Sequence, residues 1–235
     1  MRSTTETSYG ARIGNANKLL TAINSYGDYQ PQKPELSIAD FITKIDKIKS
    51  KNTTVASNKQ GYSLAVDNRK QLFTQDQFSI SKLLSPINAA VKTSFGRTSK
   101  EATDVASIIA KIRGANTKTS TSINPDQAAV SQSYQSYSSK TQFFADLLTY
   151  LNNFGADYNP SNSKTNLAEL TALHANSTVA NNNVMNTFSI FVTSNDDRIA
   201  AYKDLSQVAL RIKDNVRAQY GNDSTQYKLI KGLVI

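Results

Sequence analysis

The sequence predicts an all-α protein made of two tandem antiparallel helical bundles that arose by internal duplication. Apolar residues recur at intervals of three, four and seven along much of the chain, as in amphipathic helices. Only 9 Gly and 5 Pro occur among 235 residues, which disfavours a turn-rich β fold. The segment LLTAINSYGDYQP at 19–31 returns as LLTYLNNFGADYNP at 147–160. Each bundle is expected to hold three long helices and one short helix.

The two copies match in the same order along the chain. An offset of 128 residues relates Tyr9 to Tyr137 and holds through Asn24 and Asn152. The later matches are 37–41 with 166–170, 52–58 with 176–182, 84–92 with 205–213, and 95–99 with 220–224. Between 59 and 83 the match is weak, and Arg69 with Arg198 is the anchor considered there. We predict a first repeat at 1–113, a linker at 114–135 and a second repeat at 136–235.

The first helix of each repeat is predicted from its apolar face. In the second repeat this face comprises Phe143, Phe144, Leu147, Leu148, Leu151 and Phe154, and in the first repeat it comprises Leu19, Leu20, Ile23 and Tyr26. Gly155 and Gly27 are expected to end these helices. The Asp-Tyr-x-Pro sequence that follows in each copy cannot continue a helix, so it predicts a turn.

The second and third helices are long and mostly uninterrupted in the pattern. Ser37 is a candidate N-cap for a helix that carries Ile38, Phe41, Ile42, Ile45 and Ile48 and reaches about Val66. Its counterpart is expected from Thr165 into the apolar patch at 188–192. The third helices are predicted at 71–93 and at 196–219, with Ser194, Asn195 or Asp196 as the cap of the latter.

A short fourth helix follows in each repeat, with Ser99 and Ser224 as candidate caps. Between the repeats, residues 114–135 are rich in Gly, Ser, Thr and Asn and read as a linker.

The positive charge is concentrated in the first half of the chain. Residues 1–127 hold 18 Lys and Arg against 10 Asp and Glu, whereas residues 128–235 hold 9 against 8. Lys44, Lys47, Lys49 and Lys51 form a basic row on the predicted second helix. This row is either a solvated helix face, interrupted by Asp40 and Asp46, or a surface that follows the phosphates of a nucleic acid.

Several kinds of chemistry lack the residues they require. The chain contains no Cys, so disulfides and thiolate chemistry are excluded. The one histidine, His174, has no nucleophile or metal-binding motif at a recognisable spacing, and the adjacent Asp196 and Asp197 suit a helix start. No phosphate-binding glycine loop is present. We identify no catalytic, metal-ligating or cofactor-binding residue, and we expect a non-enzymatic protein without a cofactor.

Two tyrosines form a possible loop surface. Tyr29 and Tyr158 precede the prolines of the repeated turn. They either seal the end of each bundle or line a binding surface, and sealing is the favoured interpretation.

The sequence also bears on location. The N-terminal residues show no apolar signal-peptide core, and no apolar run approaches the roughly 20 residues that span a bilayer. We expect a cytoplasmic protein without a transmembrane segment.

Two short motifs in the second repeat resemble an uncharacterised family of bacterial helical proteins. These are the YNP loop at 158–160 and the sequence YGNDSTQYK at 220–228, which has the form F/Y-G-x-x-S-x-x-Y-K. The first repeat departs from them, since Gln30 replaces Asn. The resemblance implies a helical fold and a bacterial source, and it supplies no catalytic residues.

These observations favour a binding or scaffolding protein. A pair of related bundles is expected to create a groove or surface between the copies, where a protein partner or a second copy of the chain binds. The alternative is binding of a nucleic acid or another acidic partner through the basic first repeat.

Overall fold

The computed structural model describes residues 8–114 and 136–235, and the regular secondary structure of this part of the chain is helical, without a strand. The predicted all-α class is therefore confirmed. The α-helices are α1 (Tyr9–Ser25), α2 (Ile38–Lys70), α3 (Ile80–Phe95), α4 (Lys100–Arg113), α5 (Tyr137–Asn153), α6 (Leu167–Tyr220) and α7 (Thr225–Ile230). Most of the predicted linker, from residue 115 to 135, lies outside the described residues.

Serine side chains define the starts of five of these helices. In each, the hydroxyl oxygen accepts a hydrogen bond of 3.0 to 3.2 Å from the backbone N–H three residues on, which satisfies a donor that the helix leaves unpaired. The capping residues are Ser8, Ser37, Ser99, Ser136 and Ser224. The predicted caps Ser37, Ser99 and Ser224 are thus confirmed.

The second repeat contains fewer helices than predicted, because α6 is unbroken over 54 residues. The predicted helix start at 194–196 is wrong. Ser194 donates to the Phe191 carbonyl at 2.8 Å, and Asn195 accepts from Arg198 at 2.6 Å, so both side chains are satisfied within the helix. Neither Gly nor Pro occurs between Leu167 and Tyr220, so nothing in the backbone forces an interruption.

In the first repeat, the helix is interrupted at the equivalent position, between α2 and α3. A π-helical turn, Gln71–Gln75, follows α2, and α3 begins only at Ile80, nine residues later than predicted. The Asp76 carboxylate accepts from the Phe78 N–H at 2.7 Å and stabilises the intervening turn. The first repeat thus has extra residues at this point that the second repeat lacks.

The helices cluster into two compact units, and these cut across the predicted repeats. Among the described residues, unit 1 comprises 8–60 and 189–235, and unit 2 comprises 61–114 and 136–188. Each unit therefore combines helices from both of the predicted ranges, 1–113 and 136–235. The predicted tandem arrangement, in which each repeat forms its own bundle, is not the division found here.

The core of unit 1 explains this division. The apolar face of α1, which includes Leu19 and Ile23, is fully buried together with Leu205 and Ile212 of α6. The same cluster contains Phe41 and other residues of the first half of α2. Burial of these side chains is the main stabilising contribution to the unit.

Unit 2 has a corresponding core. Phe144 and Leu147 of α5 are buried with Ile87 of α3 and Ile109 of α4. The first turns of α6 contribute Leu170.

Equivalent ring contacts occur in the two units. In unit 1 the Tyr9 and Tyr202 ring centroids are 4.5 Å apart, and the Arg198 guanidinium lies 4.4 Å from the Tyr9 ring. In unit 2 the corresponding distances are 4.9 Å for Phe73 with Tyr137 and 4.0 Å for Arg69 over Tyr137. Each unit therefore fixes the start of its first helix with a buried ring and a stacked arginine.

Candidate functional site

The predicted basic row is largely paired with carboxylates. Lys44 lies 2.6 Å from Asp204 of α6, and Lys51 lies 2.9 Å from Asp197. Lys49 contacts Asp46 on its own helix at 2.9 Å. Three of the four lysines thus have an anionic partner within the protein, and two of them link α2 to α6 within unit 1.

Lys47 is the remaining lysine of the row. Within the described residues it has no carboxylate at ion-pair distance, and it lines a shallow groove of about 370 Å³ together with Lys44, Lys51 and the two α6 aspartates. The hydrogen bond from Lys51 lowers the pKa of Asp197, and the charges of Lys51 and Lys47 lower it further. The surface carries only one positive charge more than it carries negative charges, which makes it a weak electrostatic site for a polyanion.

Tyr29 and Tyr158 close their loops. The Tyr29 hydroxyl donates to the Leu36 carbonyl at 2.9 Å, and the Tyr158 hydroxyl donates to the Thr165 carbonyl at 2.7 Å. Tyr158 is buried and Tyr29 is half-buried. Burial raises the pKa of each phenol to about 12. Each hydroxyl is therefore bonded within its own loop, and little of the Tyr158 ring is open to a ligand.

The polar residues considered for catalysis belong to different units, His174 to unit 2 and Asp197 to unit 1. The His174 ring lies 6.2 Å from the Phe144 ring, beside the core of unit 2. Asp197 is occupied by Lys51 in unit 1. Across residues 8–114 and 136–235, no group of three His, Asp or Glu side chains is arranged to hold a metal ion.

A different site lies between α1 and α7 in unit 1, and the sequence reasoning missed it. It is a groove of about 470 Å³. One wall is a single face of α1, formed by Gly14, Asn17, Lys18, Thr21, Ala22 and Ser25. The other wall is formed by Leu229, Ile230 and Leu233 at the end of the chain.

Small side chains on α1 create the groove. The lining positions recur at intervals of three, four and seven, so they share one helix face. Gly14 has no side chain, and a Cβ atom placed there would meet no atom within 4 Å. Across from this face, the Leu229 side chain is 64% exposed, although it is large and apolar. The result is an apolar surface that the side chains of residues 8–114 and 136–235 do not cover.

The wall formed by Leu229, Ile230 and Leu233, called the α7 wall, is held in place by polar contacts to the backbone of residues 233–235, which follow α7. Asn15 donates to the Val234 carbonyl at 2.8 Å, and Ser206 donates to the backbone oxygen of Ile235 at 2.6 Å. Lys213 donates to the Leu233 carbonyl, and its burial lowers the pKa of its ammonium group. These bonds orient Leu233 toward the groove and give the wall a defined position.

The described lining of the groove is positively charged. Among the described residues, Lys18 is the one charged side chain of the lining, and it is exposed. Lys231 is exposed on the same short C-terminal segment as Leu229, whereas Lys228 of this segment lies 3.9 Å from the Asp223 carboxylate.

The matching face of unit 2 has a different character. At the offset of the first helices, Gly14, Lys18 and Ala22 correspond to Gln142, Asp146 and Tyr150. At the offset that relates Ser99 to Ser224, Leu229 corresponds to Asp104. The signal available in the sequence was therefore this difference between the copies, in which larger and acidic residues are replaced by small, apolar and basic ones.

In the described part of the chain, no helix combines the length and apolar character needed to cross a membrane. In comparisons with known proteins, no family model, no curated protein and no solved structure matches the chain.

Proposed function

We propose that this chain is a non-enzymatic binding protein and that the groove between α1 and α7 is its recognition site. The observation that carries the proposal is the uncovered apolar surface formed by Leu229 opposite Gly14 and Ala22. Concave, mostly apolar sites with a few polar groups are the usual form of a binding site. The α1 wall belongs to the first predicted repeat and the α7 wall to the second, and both lie within unit 1.

We also propose that the two halves of the chain arose by duplication. The proposal is supported by the matched contacts of the two units, namely the Tyr9–Tyr202 and Tyr137–Phe73 pairs with their stacked arginines. Gly96 and Gly221, which follow the matching helices α3 and α6, share a φ of 93°. Such a conformation favours glycine, so both copies required it at the same point.

The unbroken helices revise the alignment between the copies. An offset of 129 relates Ile38 to Leu167 and also relates Arg69 to Arg198. Because α2 and α6 have no interruption over these stretches, the same offset applies throughout. The pairing of 52–58 with 176–182 would require an insertion within a helix, so we now align Asn52 with Asn181.

The binding proposal is tested by filling the groove with a residue that unit 2 already uses. In G14Q, glutamine replaces glycine as at Gln142, and the free space around Gly14 accepts the new side chain. Removing a helical glycine is expected to stabilise the fold by up to about 1 kcal/mol. Helix-forming peptides displayed on phage are selected on the natural chain and then compared on G14Q.

We expect selected peptides that bind the natural chain and lose at least about tenfold in affinity for G14Q, while thermal unfolding shows that the variant is at least as stable. L229D, which introduces the residue found at Asp104, is expected to have the same effect on binding. Peptides that bind all three proteins equally, or a failure to select any peptide, would exclude the groove as the recognition site.

Nucleic-acid binding through the basic row is the second candidate function. It is motivated by the excess of positive charge in residues 1–127 and by the unpaired Lys47. The ion pairs of Lys44, Lys49 and Lys51 weigh against it. A gel shift with random double-stranded DNA at low salt decides, since phosphate contacts by Lys47 would make K47E bind more weakly than the natural chain. The bacterial source and cytoplasmic location expected from the sequence remain predictions.

A further inference from the structure

We infer that the groove between α1 and α7 binds an acidic amphipathic α-helix of about three turns. This inference rests on the proposed function and specifies the class of partner. It follows from the shape of the groove, from the position of its apolar residues and from its charge.

The shape fits a helix. The α1 wall runs from Gly14 to Ser25 along one helix face, which is a length of about 17 Å at the rise of an α-helix. A partner helix lying along it would therefore present roughly three turns. Gly14, Ala22 and Ser25 are small, and small residues allow the backbones of two helices to approach closely. Helix-in-groove docking is a recurrent mode of peptide recognition.

The apolar residues define the face that the partner must present. Leu229 is 64% exposed and Leu233 is half-buried, and both lie along the wall opposite α1. A partner that covers both needs apolar side chains on successive turns, at positions i, i+3 or i+4, and i+7. A fully polar or extended segment would leave these leucines in contact with water.

The charge defines the flanks of the partner. Lys18 lies in the groove and has no carboxylate at ion-pair distance in the described residues, and Lys231 is exposed nearby in sequence to Leu229. The matching face of unit 2 carries Asp104 and Asp146 instead. Asp104 is paired with Lys100 at 2.5 Å, so the charge of Asp146 is the one that would repel an acidic ligand. Charge complementarity therefore favours Asp and Glu beside the partner's apolar stripe, and it distinguishes this groove from its counterpart.

The experiment compares the affinities of two synthetic peptides for the 235-residue chain. Both carry the same leucine stripe in a helix-forming sequence of 14 residues, and one has Glu at the flanking positions while the other has Lys. Affinity is measured by fluorescence anisotropy in 20 mM and 300 mM NaCl. We expect the Glu peptide to bind at least tenfold more tightly at low salt, with a smaller ratio at high salt.

Charge variants locate the effect. K18D imports the charge of Asp146 and is expected to weaken binding of the Glu peptide by about tenfold and to strengthen binding of the Lys peptide. K82D makes the same change of net charge at an exposed residue of α3 in unit 2, and it is expected to leave both affinities within twofold. Circular dichroism of the bound peptide is expected to show a gain of helix.

Equal affinities for the Glu and Lys peptides, or an effect of K82D as large as that of K18D, would overturn the inference. If library peptides bind the groove and are lost in G14Q but are neutral, basic or extended, the binding site stands and the acidic helix is wrong as its partner. If neither the designed peptides nor any library peptide binds, both proposals fail.

Discussion

Unit 1 and unit 2 share the contacts that hold their helices together and differ on the surfaces that those contacts leave open. In each unit a buried ring packs against the tyrosine that begins a helix. Tyr202 packs against Tyr9 at the start of α1, and Phe73 packs against Tyr137 at the start of α5. Both close a loop with a tyrosine hydroxyl bonded to a carbonyl seven residues later. Contacts found in both units are those the fold requires, whereas a feature present in one unit is a candidate for function.

The differences concern the end of each unit and its surface charge. The last helix is 14 residues long in unit 2, where it is α4, and 6 residues long in unit 1, where it is α7. Ion pairs link α2 to α6 in unit 1 through Lys44 and Lys51, whereas unit 2 has Leu173 and Ala180 at the matching positions. Unit 1 therefore differs from unit 2 in having a shorter last helix and in having ion pairs between its two long helices.

The largest effect is expected from truncating the paired buried rings. Y202A and F73A each remove a ring that is at most 2% exposed, and each is expected to lower the free energy of unfolding by about 3–5 kcal/mol. Y202A should cost more, since the Tyr202 hydroxyl also donates to the Tyr9 carbonyl at 3.1 Å and accepts from Asn52 at 2.9 Å. Urea denaturation followed by circular dichroism measures both.

Y202F is the control that separates the ring from its hydroxyl. It gives unit 1 the residue that unit 2 has at Phe73, and it is expected to cost only about 1 kcal/mol. If Y202A were no more destabilising than an exposed substitution, the shared ring contact would not be what joins the helices.

A second comparison concerns the stacked arginines. R198M and R69M remove a guanidinium that lies over Tyr9 or Tyr137 and donates a hydrogen bond to an amide oxygen, that of Asn195 or Asn181 respectively. We expect losses of about 1–2 kcal/mol that agree between the two variants. Lysine in place of either arginine should restore little, because a compact ammonium lacks the flat surface that stacks on a ring. Unequal losses would show that the two contacts are not equivalent.

A smaller effect is expected at alkaline pH in both units. Burial raises the pKa of Tyr29 and Tyr158 from 10.0 to about 12. The resulting stabilisation is complete below pH 10 and is lost as the pH rises through 12. Y29F and Y158F are each expected to cost about 1 kcal/mol at pH 7, through the lost hydrogen bond.

The same variants should be less sensitive than the natural chain to a rise from pH 9 to pH 12, as followed by the midpoint of urea denaturation. A variant that loses as much stability as the natural chain over this range would show that its tyrosine is not the group responsible.

The smallest effect distinguishes the units in acid. Among the described carboxyl groups, those of Glu35 and Asp197 have a lowered pKa, and both belong to unit 1. A bond to its own backbone is the largest cause at Glu35, ahead of Arg211, and Lys51 is the cause at Asp197. Their stabilisation is complete above the ordinary values of 4.5 and 3.8 and is lost as the pH falls below them.

Hydrogen exchange at pH 6 and pH 3, corrected for the intrinsic amide rate at each pH, tests this, because acid should lower the protection factors more in α1 than in α5. K51M should reduce the part of this change that depends on Asp197. Both side chains are exposed, so the effect should also diminish at high salt. An equal fall in the protection factors of the two helices would contradict the assignment.

The sequence predicted most of the helices, but it did not predict which helices pack against one another. Apolar periodicity and the serine caps located α1, α4, α5 and α7, because these signals act within a few residues. The same periodicity occurs in both repeats, so it did not tell whether the face of Leu19 packs on α3 or on α6. Likewise, the polar residues at 194–196 looked like a helix start, although their side chains find partners inside an intact helix.

The site was harder to predict than the fold. Lys44 and Lys51 were recognised as basic, yet Asp204 and Asp197, which pair with them, lie about 150 residues away in the sequence. The α1 groove arises because Gly14 has no side chain and Ala22 has a small one. This feature is recognised only when the two residues are compared with the matching Gln142 and Tyr150.

The arrangement of the two units has a consequence for synthesis on the ribosome. Unit 2 draws on the middle of the chain, while unit 1 joins its two ends, as in the bonds from Arg12 to Ser206 and from Tyr26 to Gln226. At roughly 5–20 residues per second, about 10–40 seconds separate the emergence of α1 from that of its partners. During this interval Leu19 and Ile23 have only the first half of α2, including Phe41, to bury against. Unit 2 is therefore expected to be complete before unit 1, and α1 is among the last helices to be fully buried.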